Sequence, residues 1–254
     1  MEFSGSPARQ GEARLSGFRP GGRSLGEALD SLLLRERLDK PELLDSEAVD
    51  GETLKRSYRE LQRLHLWLGN TAAILDRLRA GGRRLKVLDI GCAQGALLAV
   101  IRERLGHEGI GFDLRSMPVD ASIPIVEGNA VTDALPRADV ALSVVMAHHL
   151  DRRELKAMIV NVSRSADRLI LLDLVRHRVP LTLFRLFVAP LLSRINALDG
   201  ATSIRRAFTR VELGAIFAEA IKESGRPVER LTHHVATLWT QQIVDVQWGK
   251  RTER

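Results

Sequence analysis

The chain has little sulfur and few rings. Of 254 residues, one is cysteine and one is tyrosine, and aromatic side chains make up 4%. The lone cysteine, Cys92, excludes an internal disulfide and any zinc site built on cysteines, and it fits a reducing compartment. So few aromatics leave few platforms on which single-stranded nucleic acid could stack. Neither an aromatic RNA-recognition signature nor a zinc finger is present. Long apolar runs are missing too. The longest, Val179 to Leu192, is interrupted by Pro180, Arg185 and Pro190, and it falls short of the ~20 residues that a bilayer span requires. Met1 to Ser24 contains Glu2 and Glu12 and no apolar stretch, so no secretory signal is expected and a cytoplasmic location is. Contact with a membrane surface stays open. Acidic residues are outnumbered, giving a formal charge of +6 that comes largely from arginine. That balance admits nucleic acid, anionic lipid or an acidic substrate, or simply a solvated basic surface.

What is present concentrates in one stretch. Lys86-Val87-Leu88-Asp89-Ile90-Gly91-Cys92-Ala93-Gln94-Gly95, followed by Ala96 to Ile101, reads as a buried strand, a glycine turn and an apolar helix. Glycines let a ligand approach the backbone, and the helix presents its unpaired N–H groups to it. A second strand, Gly109 to Asp113, ends in another acid 113 − 91 = 22 residues beyond Gly91. An acid at that distance, at the tip of strand two, is placed to accept both hydroxyls of a ribose. The turn reads G-x-x-x-G. A dinucleotide fingerprint would need glycine where Ala93 stands, and a P-loop would continue into Gly-Lys-Ser/Thr; neither pattern fits.

Asp89, Gly91 and Gly95 at this turn resemble motif I of class I S-adenosylmethionine-dependent methyltransferases, strand-(D/E)-x-G-x-G-x-G, with Ala93 at the middle glycine. The resemblance covers roughly Leu85 to Trp248 and extends to Asp139, near the start of a fourth strand, and to His148-His149-Leu150 after it. Ala138 to Leu150 and Leu169 to Leu174 are similar to the quinone-type and natural-product members. The resemblance implies S-adenosyl-L-methionine as cofactor, held by Asp89, Gly91, Cys92, Ala93, Gly95, Asp113, Leu114, Asn129, Ala130 and Ser143. Asp113 would take the ribose, and Gly128-Asn129-Ala130 would reach the adenine. Asn129 stands where the family carries Asp, and its amide carbonyl can accept from the adenine amino group. Cys92 itself reads as a small filler of the turn.

Along the chain, residues 1–22 are rich in Gly, Ser, Pro and Arg and are expected to form a disordered arm. Residues 23–82 are expected to form an N-terminal helical appendage over the cofactor mouth. Its helices run from Ser24 to Leu38, after Asp50-Gly51 with apolar residues from Leu54 to Leu68, and from Ala72 to Leu78. Tyr58 and Trp67 are expected in the core. Residues 83–250 alternate strands and helices. Strands are expected at Val87–Ile90, Ile110–Asp113, Ile123–Val126, Ala138–Val145, Arg168–Leu174, Val228–Leu238 and Gln241–Trp248, and helices from Ala96, Arg152 and Leu213. The Thr209-x-x-Glu212 capping box starts the last helix. The fold class is therefore α/β: a Rossmann-like, seven-stranded, mostly parallel sheet with helices on both faces. Residues 175–207 are a lid-like insertion whose Leu and Phe residues suit either core packing or the underside of a lid.

In such a sheet, ligands bind beyond the carboxyl ends of the strands. The end of strand four reads Ser143-Val144-Val145-Met146-Ala147-His148-His149, so the base candidates are His149 first and His148 second, since imidazole titrates near neutrality. Asp173, at the end of strand five, could touch the acceptor, although a structural role is favoured. His233 and His234 point to opposite faces of a strand. No carboxylates or histidines show metal-ligand spacing, so no metal is expected. The Asn/Asp-Pro-Pro-Tyr of amino-methylating enzymes is absent, and the one cysteine is in the turn, not positioned for carbon-5 pyrimidine chemistry. The expectation is transfer of a methyl group to an oxygen or carbon of a small, lipophilic or aromatic acceptor, with nucleic acid disfavoured as a partner. The alternatives are an RNA or protein methyltransferase using the basic surface, and a non-catalytic binding module.

Overall fold

The computed structural model describes residues 34, 36–45, 49–79, 83–115 and 122–249. The expected arm lies outside these residues, as does most of the helix expected from Ser24 to Leu38. Residues 37–42 carry no regular structure.

Seven strands form one sheet in the order β3-β2-β1-β4-β5-β7-β6. They are β1 (Lys86–Ile90), β2 (Glu108–Asp113), β3 (Ile125–Glu127), β4 (Ala138–Val144), β5 (Ala166–Leu174), β6 (Val228–Val235) and β7 (Gln241–Trp248). The first five are mutually parallel. β7 runs antiparallel to both β5 and β6, which makes it the one reversed strand. The parallel arrangement follows from the crossover helices between strands, and it demands apolar residues on both faces. One face carries Leu88, Ile90, Ala141, Leu169, Leu171, Val244 and Val246 under α4 (Arg152–Ser165) and α7 (Arg210–Ser224). The other carries Val87, Val140, Leu142, Ile170 and Leu172 under α2 (Asn70–Arg79) and α3 (Ala96–Leu105).

Helix boundaries follow the capping chemistry. Asp50 accepts from the Glu52 and Thr53 backbone N–H groups to start α1 (Gly51–Trp67). Asp151 with Glu154, and Thr209 with Glu212, close capping boxes at α4 and α7. α1 buries only Ser57 completely, and Trp67 is 67% exposed. The expectation that Trp67 is core is thus wrong, because it lies on the last turn of a helix that packs mainly against α2 and buries little of itself. In the insertion, α5 (Arg178–Leu183) runs through a wide turn, Phe184–Val188, before α6 (Arg194–Arg206). Phe184 lies where Gly200 offers no side chain: a Cβ there would fall 2.3 Å from its ring.

Several strand limits differ from expectation: β2 and β5 each begin two residues early, at Glu108 and Ala166, and β1 one residue early. The third strand begins two residues late, at Ile125, because Ile123 is buried beneath α3. β4 stops at Val144 because Val145 turns left-handed, φ +52°. β6 ends at Val235 because Leu238 and Trp239 are also left-handed and make the hairpin corner. No described helix is long and apolar enough to cross a membrane.

Across β5 and β7, Arg168 grips Asp245 with two hydrogen bonds of 2.8 and 2.6 Å, and donates to the Arg77 carbonyl at 3.1 Å. Removing one partner of such a buried pair leaves an uncompensated charge. Asp245→Ala should therefore lower the unfolding free energy by about 3 kcal/mol. A urea midpoint shift at unchanged slope measures this, and a loss below ~1 kcal/mol would mean the pair does not hold the sheet.

Candidate active site

The turn after β1 is shaped by contacts that admit little else. Gly91 has φ +72°, its N–H donates to the Phe112 carbonyl at 2.8 Å, and a Cβ there would lie 2.4 Å from Met146 Cγ. Ala93 is also left-handed, φ +48°, a conformation that costs an L-residue roughly 1 kcal/mol. Its N–H donates to Asp113 Oδ2 at 2.7 Å, so the second acid holds the strained bend. The other oxygen of Asp113 accepts from the Arg115 N–H at 3.2 Å. Gly95, φ +74°, caps α3. Cys92 fills the space above Gly111, where a Cβ would fall 2.5 Å from its sulfur, and burial pushes its thiol far up, as befits a filler.

Asp89 is buried and forms no ion pair among the described residues. Burial, and then the charge of Asp113, raise its pKa to about 7. Asp113 is raised as well, because burial outweighs its backbone hydrogen bonds. Two acids held above their ordinary range at one strand edge favour a ligand that brings donors or positive charge.

The remaining expected cofactor residues divide. Leu114 is 66% exposed beside Asp113. Asn129 is exposed, but its amide oxygen accepts from the Val131 N–H at 2.9 Å, so the expected adenine acceptor already closes its own turn. Ala130 is half-buried, and its carbonyl accepts from Asn161 Nδ2 at 3.0 Å. Ser143 is completely buried in the sheet, and its hydroxyl has no partner among the described residues. In register it lies between Ile90 of β1 and Leu171 of β5.

The histidine turn lies beside the glycine bend. Val145, a β-branched residue at φ +52°, marks a strained reversal. It carries Met146 over Gly91 and leads into a short 3₁₀ turn, Ala147–His149. His148 is buried, and its Nδ1 donates to Asp173 Oδ1 at 2.8 Å. On its other side, Nε2 lies 3.4 Å from Glu42 Oε1. Burial lowers the pKa of His148, but Asp173 and then Glu42 outweigh it and raise it to about 9. Burial raises that of Glu42, but His148 overrides it and the net direction is down. His149 is one-third exposed, with Nε2 3.9 Å from Glu42 Oε2. His233, by contrast, meets Gln242 at 3.0 Å on β7.

Glu42, Arg37 and Gln62 carry no sequence signal, yet they complete this region. Arg37 donates to the His148 and Leu150 carbonyls at 2.6 and 2.7 Å, and Arg206 donates to the His149 carbonyl at 3.0 Å. Gln62 of α1 donates to Gln94 of the bend at 3.4 Å. Glu60 accepts from Ser193 Oγ at 2.7 Å and also from Asn196, joining α1 to α6. The N-terminal helices and the insertion thus meet at the carboxyl end of β4. Two shallow cavities, about 370 and 290 Å³, open at the opposite edge and contain none of these groups.

Strand order, the single reversed strand and the acid-tipped β1 and β2 define the fold of class I S-adenosylmethionine-dependent methyltransferases. Solved structures agree. The plantazolicin methyltransferase BpumL, in complex with a monoazolic desmethylPZN analog and SAH, matches with a TM-score of 0.63 at 13% identity, covering 82% of this chain and 94% of that one. The plantazolicin methyltransferase BamL, with a triazolic analog and SAH, gives 0.61 at 15% identity over 78% and 91%. Human N-acetylserotonin methyltransferase in complex with SAM gives 0.52 at 14% over 83% and 63%. In sequence, the chain is 31% identical over 107 residues to the indolepyruvate C-methyltransferase of Streptomyces griseus, spanning 36% of this chain and about a third, 32%, of that enzyme. No protein-family model matches.

Asp89 yields a pH test. Its folded pKa of about 7 stands above the ordinary 3.8, so the folded state binds the proton more tightly. Its contribution is full below about pH 4 and lost as the pH rises through about 7, an effect on the order of 4 kcal/mol. Asp89→Asn should flatten the ligand-free protein's stability between these limits. An unchanged slope in denaturant titrations would contradict the assignment.

Proposed function

We propose that this chain is an S-adenosylmethionine-dependent methyltransferase acting on an oxygen or carbon of a small, lipophilic or aromatic acceptor. The observation that carries the reading is the bond from Ala93 N–H to Asp113 Oδ2, which draws the second acid to the glycine bend beside buried Asp89. The residues fit the cofactor: a buried carboxyl without an ion pair suits the cationic methionyl part, and the left-handed glycines of the bend let a ligand come close to the backbone. Asp89, Gly91, Cys92, Ala93 and Gly95 would hold the methionine portion, Asp113 the ribose, and Leu114 with Asn129 and Ala130 the adenine. When bound, S-adenosylmethionine supplies an electrophilic methyl group on a sulfonium. The names of the relatives support the same class of chemistry.

The chain's part is to align the acceptor and exclude water. His149, the exposed member of the pair, is the ring that an acceptor can meet; His148 is its buried support. The described parts of residues 23–82, together with 175–207, act as the lid, through the Gln62–Gln94 and Glu60–Ser193 contacts. A cytoplasmic location agrees with one buried, unpaired cysteine.

Calorimetry with S-adenosylhomocysteine tests the cofactor assignment. Gly91→Arg should abolish binding, and Asp113→Ala should weaken it at least about tenfold; wild-type affinity in both would refute the reading. Affinity should rise with pH through about 7 as Asp89 ionises against the ligand's cation, and Asp89→Asn should lose that dependence. His149→Ala should slow turnover about 100-fold with cofactor affinity retained. The acceptor is identified by incubating labelled cofactor with cell extract and isolating the methylated product. Binding without transfer to any extract component would favour a non-catalytic module.

A further inference from the structure

Three donor side chains from two distant parts of the chain converge at the end of β4. His148 Nε2 lies 3.4 Å from Glu42 Oε1, and His149 Nε2 lies 3.9 Å from Glu42 Oε2. All three groups place a ligand atom within 4.8 Å of one another. The 3.4 Å approach of His148 Nε2 to Glu42 is a long hydrogen bond, and the 3.9 Å approach of His149 lies beyond hydrogen-bond reach. Ligands about 2.1 Å from a tetrahedral ion, however, sit roughly 3.4 Å apart, which matches the His148–Glu42 pair and is shorter than the 3.9 Å of the His149–Glu42 pair.

The supporting contacts point the same way. Nδ1 of His148 donates to Asp173 Oδ1 at 2.8 Å, which leaves Nε2 as the nitrogen that faces Glu42 and His149. A carboxylate behind an imidazole is the arrangement that fixes the tautomer and orientation of a metal-binding histidine. Glu42 is steadied in turn by Ser203, whose hydroxyl donates to Oε1 at 2.6 Å. Its segment is pinned where the Leu43 and Leu44 N–H groups donate to Asp199 at 2.8 and 2.9 Å. Two imidazoles and one carboxylate, with further coordination positions left open, suit a divalent first-row transition ion.

We propose that Glu42, His148 and His149 bind one divalent transition ion, zinc or iron(II), with its open positions available to the oxygen of a methyl acceptor. The role toward the acceptor rests on the methyltransferase reading; the ion site does not. His149 then serves as a ligand, and the ion polarises the acceptor oxygen where a free imidazole was expected to take its proton.

The test uses the full chain, stripped with a chelator and titrated with Co²⁺, whose visible absorption reports its coordination. One equivalent should bind, and zinc should displace it. His149→Ala and Glu42→Gln should each weaken binding about 100-fold, and Asp173→Asn, which touches no ion, about tenfold. The exposure of His149 makes its variant the one that keeps the fold, checked by thermal melting. No Co²⁺ uptake by the wild type, or uptake unchanged by His149→Ala, overturns the proposal and leaves an imidazolium bridging two carboxylates. Calorimetry with S-adenosylhomocysteine on the same samples separates the two claims. Cofactor binding without cobalt sinks the ion site alone, and cobalt without cofactor sinks the methyltransferase reading alone.

Discussion

The buried hydrogen bond from His148 to Asp173 organises the reactive end of this molecule. It ties the 3₁₀ turn after β4 to the penultimate residue of β5, 2.8 Å apart and out of reach of water. An imidazole sealed in this way cannot stand alone, because burying an unpaired polar ring costs several times what its hydrogen bond returns. Glu42 answers the other side of the ring, and so a segment far upstream in the chain is drawn onto the sheet. Arg37 and Arg206 then satisfy the carbonyls of the same turn. Loss of the Asp173 contact would loosen β4, β5, α6 and the N-terminal segment together.

The basic composition takes on a different meaning in this setting. Arg37, Arg168, Arg176, Arg206 and Arg226 all spend guanidinium donors on internal carbonyls or carboxylates. The guanidinium fork reaches several acceptors at once while its stem packs against apolar neighbours, as Arg37 does 4.3 Å from the centre of the Phe208 ring. These arginines tie neighbouring segments, helical ends and loops alike, to the sheet. A surplus of positive charge in the sequence is therefore weaker support for a nucleic-acid partner than its size suggests.

Strain is concentrated where the two halves of the site touch. Ala93 and Val145 are both left-handed without being glycine, one on each side of the contact between Gly91 and Met146. Each is held by a bond to a neighbouring strand: Ala93 to Asp113 at the end of β2, and Val145 to the Leu172 carbonyl of β5 at 2.7 Å. The parallel sheet is what makes this affordable. Its parallel strands β1, β2, β4 and β5 deliver their carboxyl ends to one edge, so bend and histidine turn brace each other.

The strand–turn–helix around Gly91, the acid at Asp113 and the capping boxes were legible because each is a local matter: a buried run, a backbone that needs glycine, a side chain that reaches three residues ahead. Ser143 lies buried in the sheet, and an address along a strand does not say how deeply that position is covered. Trp67 was misread because helical spacing marks a potential apolar face without saying whether anything covers it. Asn129 was correctly placed on its loop, while its own turn claimed its oxygen. Glu42 lies 148 − 42 = 106 residues before His148, between segments with no motif, so no spacing rule could join them. Sequence alone determined the sheet, the nucleoside-type bend and the histidines at the strand's end, since those depend on neighbours in the chain. Only the tertiary structure decided what faces the histidines, because a buried ring takes its partners from whichever segments packing brings within a few ångströms.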